Sequence, residues 1–354
     1  MRVETGLLNP DSERYGGGEQ AAPTIEDTRL AARAIEEAGF DGACTPEAGH
    51  DPFLPLMIAA EHTHKLEFGT NVAIAFPRSP MSTALAAWDL QQFSSGRFRL
   101  GLGTQVKGHN ERRYSTPWTG PPGPRMREYL LCMQAIFASF ASEGAPTTFE
   151  GEHYRFDLLT PLFSPGAIDY PAPPLQIACL NPYMCRLGGE LCDGVRPHPI
   201  GTFSYTRDVI VPGIAAGAKK AGRNPSEIDV VGAPFLVLGA NEEEVEAAKL
   251  DAKRHIAFYA STRTYHAVLE HHGWEEIGAA LHRLSREGKW AEMFAAISDD
   301  MLAEFAVIAT YEDFVAEFGR RCGDLFSSVL LDLPGSIWNE REAVAEIVQG
   351  LRAL

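Results

Sequence analysis

The chain has 354 residues, 45% of them hydrophobic and 22% charged, a globular composition that excludes collagen, a long coiled coil and wholesale disorder. Its 31 basic against 47 acidic side chains leave a formal charge of −16. That surface repels phosphate backbones and anionic lipid, so no nucleic acid and no membrane is expected as partner.

Val3 to Leu8 reads as a first strand. Thr24 caps a predicted helix from Ile25 to Ala38, with Leu30, Ala31, Ala34 and Ile35 on one face and Gly39 as its stop. Strands follow at Asp41–Thr45, Leu66–Phe76 and Phe98–Gly103, with helices at Phe53–His64, Pro80–Phe93 and Arg125–Phe140 between and after them. The alternation resumes with strands at Pro174–Cys179, Gly194–Pro197, Ile228–Leu238 and Ser328–Leu333, and helices at Pro182–Cys192, Tyr205–Ala221, Glu242–Tyr259 and Glu340–Leu351. Eight strands each followed by a helix predict a single-domain α/β (β/α)8 TIM barrel over 1–354; a doubly wound open sheet is the alternative. Two stretches break the rhythm, a hairpin-like loop at about 143–172 and a mostly helical insertion at about 261–310. In a barrel such insertions ride on the C-terminal face, where they are candidates for a lid.

Six cysteines lie in apolar segments without a CxxC pair or histidine partners at zinc spacing, so buried reduced thiols and no metal are expected. Met1 to Leu8 does not look like a signal peptide and no apolar run approaches the roughly 20 residues of a membrane span, so a cytoplasmic protein is expected. The sequence has no GxSxG elbow, HExxH or P-loop.

Barrel logic directs attention to the strand ends. After strand two, Glu47 and His50 can hold or move a proton, while Asp51 before Pro52 reads as a helix cap. Strand three ends in Pro77-Arg78. After strand four, Thr104 and Gln105 precede a basic run of Lys107, His109, Arg112 and Arg113 in an otherwise acidic protein. After strand five, Asn181 caps a helix with Pro182 first, whose N-terminus offers N–H groups to an anion. His198 puts another imidazole after strand six. Phe53, Phe76, Trp118, Tyr183 and Trp274 suggest a greasy pocket.

Four stretches together resemble the luciferase-like flavin and deazaflavin oxidoreductases: Glu36-Glu37-Ala38-Gly39-Phe40-Asp41-Gly42, Phe68-Gly69-Thr70-Asn71-Val72, Ser94 through Thr104, and Gly189 through Gly194. Within the insertion, Tyr265 through Glu270 and Gly288 through Met293 resemble the branch that uses coenzyme F420. The resemblance implies a homodimeric barrel with a flavin-like ring across the strand ends and a non-proline cis peptide at Asn71–Val72 or its neighbour, so Asn71, Val72 and Ala73 would border the ring. It places the cofactor phosphate on Leu180, Asn181, Pro182, Tyr183 and Met184, and ring or side-chain contacts on Thr104, Gln105, His109 and Asn110. One departure matters: many deazaflavin members carry Asp-His after strand two, where this chain reads Glu47-Ala48.

The expected activity is hydride transfer between coenzyme F420 and a small organic substrate, with Glu47, His50 or His109 handling the proton. A reduced-FMN monooxygenase is the alternative, and a cofactor-binding protein without turnover a second. Net charge does not oppose an anionic cofactor, because distant charge is screened beyond about 10 Å at moderate salt. Lys107, Arg112 and Arg113, with Arg78 added, are expected to hold its acidic tail.

Overall fold

The computed structural model describes residues 1–7, 23–142 and 147–354. The chain opens with β1 (Arg2–Gly6), β2 (Gly42–Thr45), β3 (Glu67–Thr70) and its short continuation β4 (Ala73–Ile74), then β5 (Phe98–Gly103). An antiparallel pair outside the barrel follows, β6 (Phe149–Glu150) and β7 (Arg155–Phe156). The barrel resumes with β8 (Leu175–Cys179), β9 (Gly194–Pro197) and β10 (Asp229–Gly232). Next, β11 (Phe235–Gly239) and β12 (Ala306–Thr310) pair in parallel outside it, and β13 (Ser328–Leu331) completes the ring. Barrel strands run β3–β2–β1–β13–β10–β9–β8–β5, all parallel, and β5 pairs back onto β3 through Phe68↔Phe98 and Gly69↔Arg99. The ring is closed, as the alternation of elements predicts.

Helices α1 (Ile25–Glu37), α2 (Leu54–His62), α3 (Pro80–Phe93), α4 (Lys107–Arg112) and α5 (Pro122–Phe140) follow the first four barrel strands. After β8 and β9 come α6 (Pro182–Leu191), α7 (Phe203–Tyr205) and, through one π turn, α8 (Val211–Lys220). The second half of the chain adds α9 (Glu242–Ala260), α10 (His266–His271), α11 (Glu275–Glu287), α12 (Trp290–Ala295) and α13 (Asp299–Phe305), then α14 (Phe314–Cys322) and α15 (Arg341–Arg352).

Several boundaries depart from the periodicity, each for a local reason. Strand three does not run unbroken from Leu66 to Phe76: the Asn71–Val72 peptide is cis and separates β3 from β4. Strand seven also breaks, because β10 ends at Gly232 and β11 leaves to pair with β12 rather than with the ring. The insertion therefore ends in a strand, and α4 and α14 are helices beyond those the periodicity predicts. In α1 the buried residues are Thr28, Ala32 and Ile35, while Leu30 is 51% exposed. The Thr24 cap is a full capping box with Asp27. Leu8 and residues 143–146, within the first strand and the loop insertion as read from the sequence, lie outside the described residues.

The resembling stretches turn out to build turns and close packing. Glu36 Oε1 accepts the N–H groups of His64, Lys65 and Leu66 at 2.8, 2.7 and 3.0 Å, fixing the entry to β3. Arg97 donates to Ser94 O, Leu66 O and Ala60 O at 2.6, 2.8 and 3.0 Å, tying α2 to the barrel. Gly189 lets α6 meet α8 backbone to backbone, since a Cβ there would lie 2.0 Å from Ile214 O.

The barrel interior carries charge. Glu4 meets Arg196 at 2.9 Å and Arg2 at 2.7 Å, Arg99 meets Glu67 at 2.7 Å, and Arg196 Nε donates to Gln176 at 2.7 Å. Burial by itself raises the Glu4 carboxyl, but the Arg196 and Arg2 guanidiniums bring it down to about 2. All six cysteines are buried free thiols. Among the described residues no helix is long and apolar enough to cross a membrane.

Candidate functional site

The C-terminal strand ends gather most of the residues singled out in the sequence. At the centre is the break between β3 and β4. The Glu47 main-chain N–H donates to Val72 O at 3.3 Å, and its carboxylate accepts the Ile74 N–H at 2.7 Å, so one residue clamps both sides of the bulge. The same carboxylate pairs with Arg78 Nη1 at 2.5 Å and accepts the Tyr114 hydroxyl at 3.1 Å. With its side chain only 6% exposed, Glu47 has both oxygens committed to donors. Burial and the adjacent Glu47 charge raise the Tyr114 phenol above its ordinary value, keeping it a donor.

One expectation is corrected here. Arg78 does not join a tail-binding cluster: its guanidinium is bound to Glu47 and, at 3.1 Å, to Asp51. Asp51 still serves the turn, its Oδ1 accepting the Phe53 and Leu54 N–H groups at 2.8 and 3.2 Å. His50 and His109 are exposed at the rim, where water reaches them.

The loop after β5 is shaped by close contacts. Gly101 packs under Thr70, where a Cβ would stand 2.0 Å from Thr70 O, and Val72 fills the space beside Gly103. Gln105 adopts φ +54°, a left-handed conformation that non-glycine residues hold mainly where surroundings impose it. Asn110 is buried; its Nδ2 donates to Thr104 O and Val106 O at 3.0 and 3.2 Å, and its Oδ1 has no donor among the described residues. On the outer side, Lys107 and Arg112 are exposed, Lys107 lying 3.8 Å from Glu111. Arg113 donates to Ala48 O and thereby belongs to the strand-two loop.

After β8 the expected cap is absent. Asn181 makes no side-chain hydrogen bond to α6; its Nδ2 donates instead to Thr264 O at 3.4 Å. The first amide to re-enter the helical ladder is Cys185, bonded to Asn181 O at 3.1 Å, so the Tyr183 and Met184 N–H groups stay open at the positive end of the helix. Exposed Arg263 is in the turn that Asn181 reaches. Leu180 is buried, and Tyr183 lies over Gly123 of α5, whose lack of a side chain leaves the ring its place.

The aromatic residues expected to line a pocket are mostly packed. Phe53 is buried beneath Arg78, Phe76 lies 4.3 Å under Arg125 and beside Trp118, and Trp274 stacks on His272 with ring centres 4.1 Å apart. His198 and Tyr265, by contrast, meet above β9 at 4.5 Å; the position of His198 after a barrel strand was the signal that could have ranked it higher. Among the described residues one group has metal-ligand proximity, Glu128, Glu152 and His153, but Glu128 is accepting the backbone N–H groups of the other two.

Parallel barrel topology, with a clamped bulge in strand three and an uncapped helix after strand five, defines the class as a (β/α)8 barrel. The model of the luciferase-like monooxygenase family matches residues 3–321, and the chain belongs to that family. An uncharacterised protein of Mycobacterium tuberculosis is 43% identical over 300 residues, 85% of this chain and 88% of that one. A second M. tuberculosis protein, provisionally named a coenzyme F420-dependent oxidoreductase, is 27% identical over 315 residues, covering 81% of this chain and 85% of its own. Among solved structures, the coenzyme F420-dependent tetrahydromethanopterin reductase of Methanopyrus kandleri superposes with a TM-score of 0.71 at 21% identity, over 94% of this chain and 96% of that one.

Proposed function

We propose that the protein transfers a hydride between coenzyme F420 and a small organic substrate. The observation that carries this is the open N-terminus of α6: its own cap residue is bonded elsewhere, two amides are left for an anion, and Arg263 is adjacent. The orphaned, buried Asn110 Oδ1 fits the same reading, because a deazaflavin ring carries N–H donors. When bound, that cofactor supplies the hydride from its ring carbon.

The protein's own residues do the rest. Leu180 through Met184 seat the phosphate, Asn71, Val72 and Ala73 border the ring, and Thr104, Gln105 and Asn110 shape the pocket on the opposite side. Glu47 holds the bulge, as a positioning residue. Exposed His50 and His109 exchange the proton with water. Lys107 and Arg112 attract the acidic tail. The apolar residues Leu54 and Met57 of α2 and Leu85 and Phe93 of the adjacent α3 are exposed, which suits an isologous homodimer contact.

The test is a binding titration of purified protein with reduced coenzyme F420 and with reduced FMN, followed by cofactor oxidation against a panel of organic acceptors. Tight deazaflavin binding with turnover supports the proposal. Binding of reduced FMN alone would establish the monooxygenase reading, and deazaflavin binding without turnover a carrier.

A further inference from the structure

Above β9 and β10 the walls of the barrel mouth come from four separate segments. His198 directly follows β9 and is anchored to β8 by its N–H, which donates to Cys179 O at 3.0 Å. Tyr259 is at the end of α9, beside Phe235, which begins β11 three residues past the end of β10. Tyr265 lies in the turn that receives the Asn181 amide through Thr264, next to the open end of α6. The His198 ring is held edge-on by Tyr259 at 4.8 Å and against Tyr265 at 4.5 Å.

This packing fixes chemistry as well as place. His198 Nδ1 lies 3.2 Å from the Ile200 N–H and accepts it. A neutral imidazole with Nδ1 as acceptor must carry its proton on Nε2, so the second nitrogen can only donate. The Tyr265 hydroxyl makes no hydrogen bond within the described protein, while its ring is largely enclosed. Burial pushes His198 down to about 4 and raises the Tyr265 phenol, so both are neutral donors through the physiological range. Two neutral donors on rings whose centres lie 4.5 Å apart match a neutral acceptor, the oxygen of a ketone or enone or the nitrogen of an imine.

We propose that His198 and Tyr265 form a two-donor subsite that binds the carbonyl oxygen or imine nitrogen of the substrate and selects acceptor-bearing substrates over hydrocarbon isosteres. The assignment rests on the oxidoreductase reading for its purpose, but its donor geometry does not depend on which cofactor is used.

The probe is cyclohexenone labelled with carbon-13 at the carbonyl, with cyclohexene as the isostere lacking the acceptor. Infrared difference spectra are recorded on the full chain, with and without reduced coenzyme F420. Wild type is expected to bind the enone at least ten-fold more tightly than the alkene and to shift its carbonyl stretch to lower frequency. Tyr265→Phe, which keeps the ring packing, is expected to lose part of the shift and about ten-fold in enone affinity, with cofactor affinity unchanged; His198→Phe should lose more. Nitrogen-15 spectra of wild type should show His198 as the Nε2–H tautomer, which guards against a misfolded His198→Phe. An unshifted carbonyl in wild type, a shift undiminished in Tyr265→Phe, or the Nδ1–H tautomer would each overturn the donor pair. Failure to bind either reduced cofactor would instead count against the proposed function, and the cofactor-free spectra would still decide the subsite.

Discussion

The sharpest perturbation is at Glu47. Its carboxylate accepts the buried Ile74 N–H, pairs with Arg78 and receives the Tyr114 hydroxyl. Glu47→Ala removes all three, leaving the Ile74 amide beside the bulge without a partner. An unsatisfied buried amide costs about 1–3 kcal/mol, and the lost bond to a charged group about 1.5–3 kcal/mol more. Arg78 keeps Asp51 and is 23% exposed, which trims the second contribution, so the expected loss is about 2–4 kcal/mol. Glu47→Gln retains a carbonyl oxygen for Ile74 and should cost about 1–2 kcal/mol. Denaturant unfolding reads the stability, and a cofactor titration reads the bulge: Ala should weaken binding by ten-fold or more, Gln by about three-fold. The proton role is separated by turnover. If Glu47→Gln binds cofactor normally yet abolishes turnover at every pH, Glu47 is the proton donor and the positioning argument fails.

Other consequences follow from the same structure. The Glu4 carboxyl is brought to about 2 in the fold, below its ordinary value. Its contribution to stability is therefore complete above about pH 4.5 and is lost as pH falls toward 2, so Glu4→Gln should flatten the acid limb of a stability profile and cost about 3–5 kcal/mol at neutral pH by stranding Arg196. Gly189→Ala forces α6 from α8 and should lower thermal stability by several degrees, measured by calorimetry. Charge-neutral Lys107→Gln with Arg112→Gln should weaken tailed deazaflavin more than its tail-less core, most strongly at low salt; equal losses would make the pair an ordinary solvated face.

The barrel was legible because its signals are local and repeated. Alternating apolar strands and capped helices specify a β/α repeat whatever their surroundings, and Thr24 and Gly39 act within a few residues of themselves. The candidate loops were legible too, since barrel topology alone places every strand end on one face. What the residues at those ends do is not a local property. Glu47 reads as a proton carrier until the fold brings Ile74, Arg78 and Tyr114 onto it, and Asn181 reads as a cap until Thr264, 83 residues away, takes its amide. His198 was one imidazole among eleven; only its enclosure by Tyr259 and Tyr265, from the far half of the chain, makes it a fixed donor. Composition and period determined that this chain is a barrel whose candidate loops share one face. Tertiary structure decided which polar atoms there are already satisfied and which remain for a ligand, because hydrogen bonds between distant segments exist only once the ring has closed.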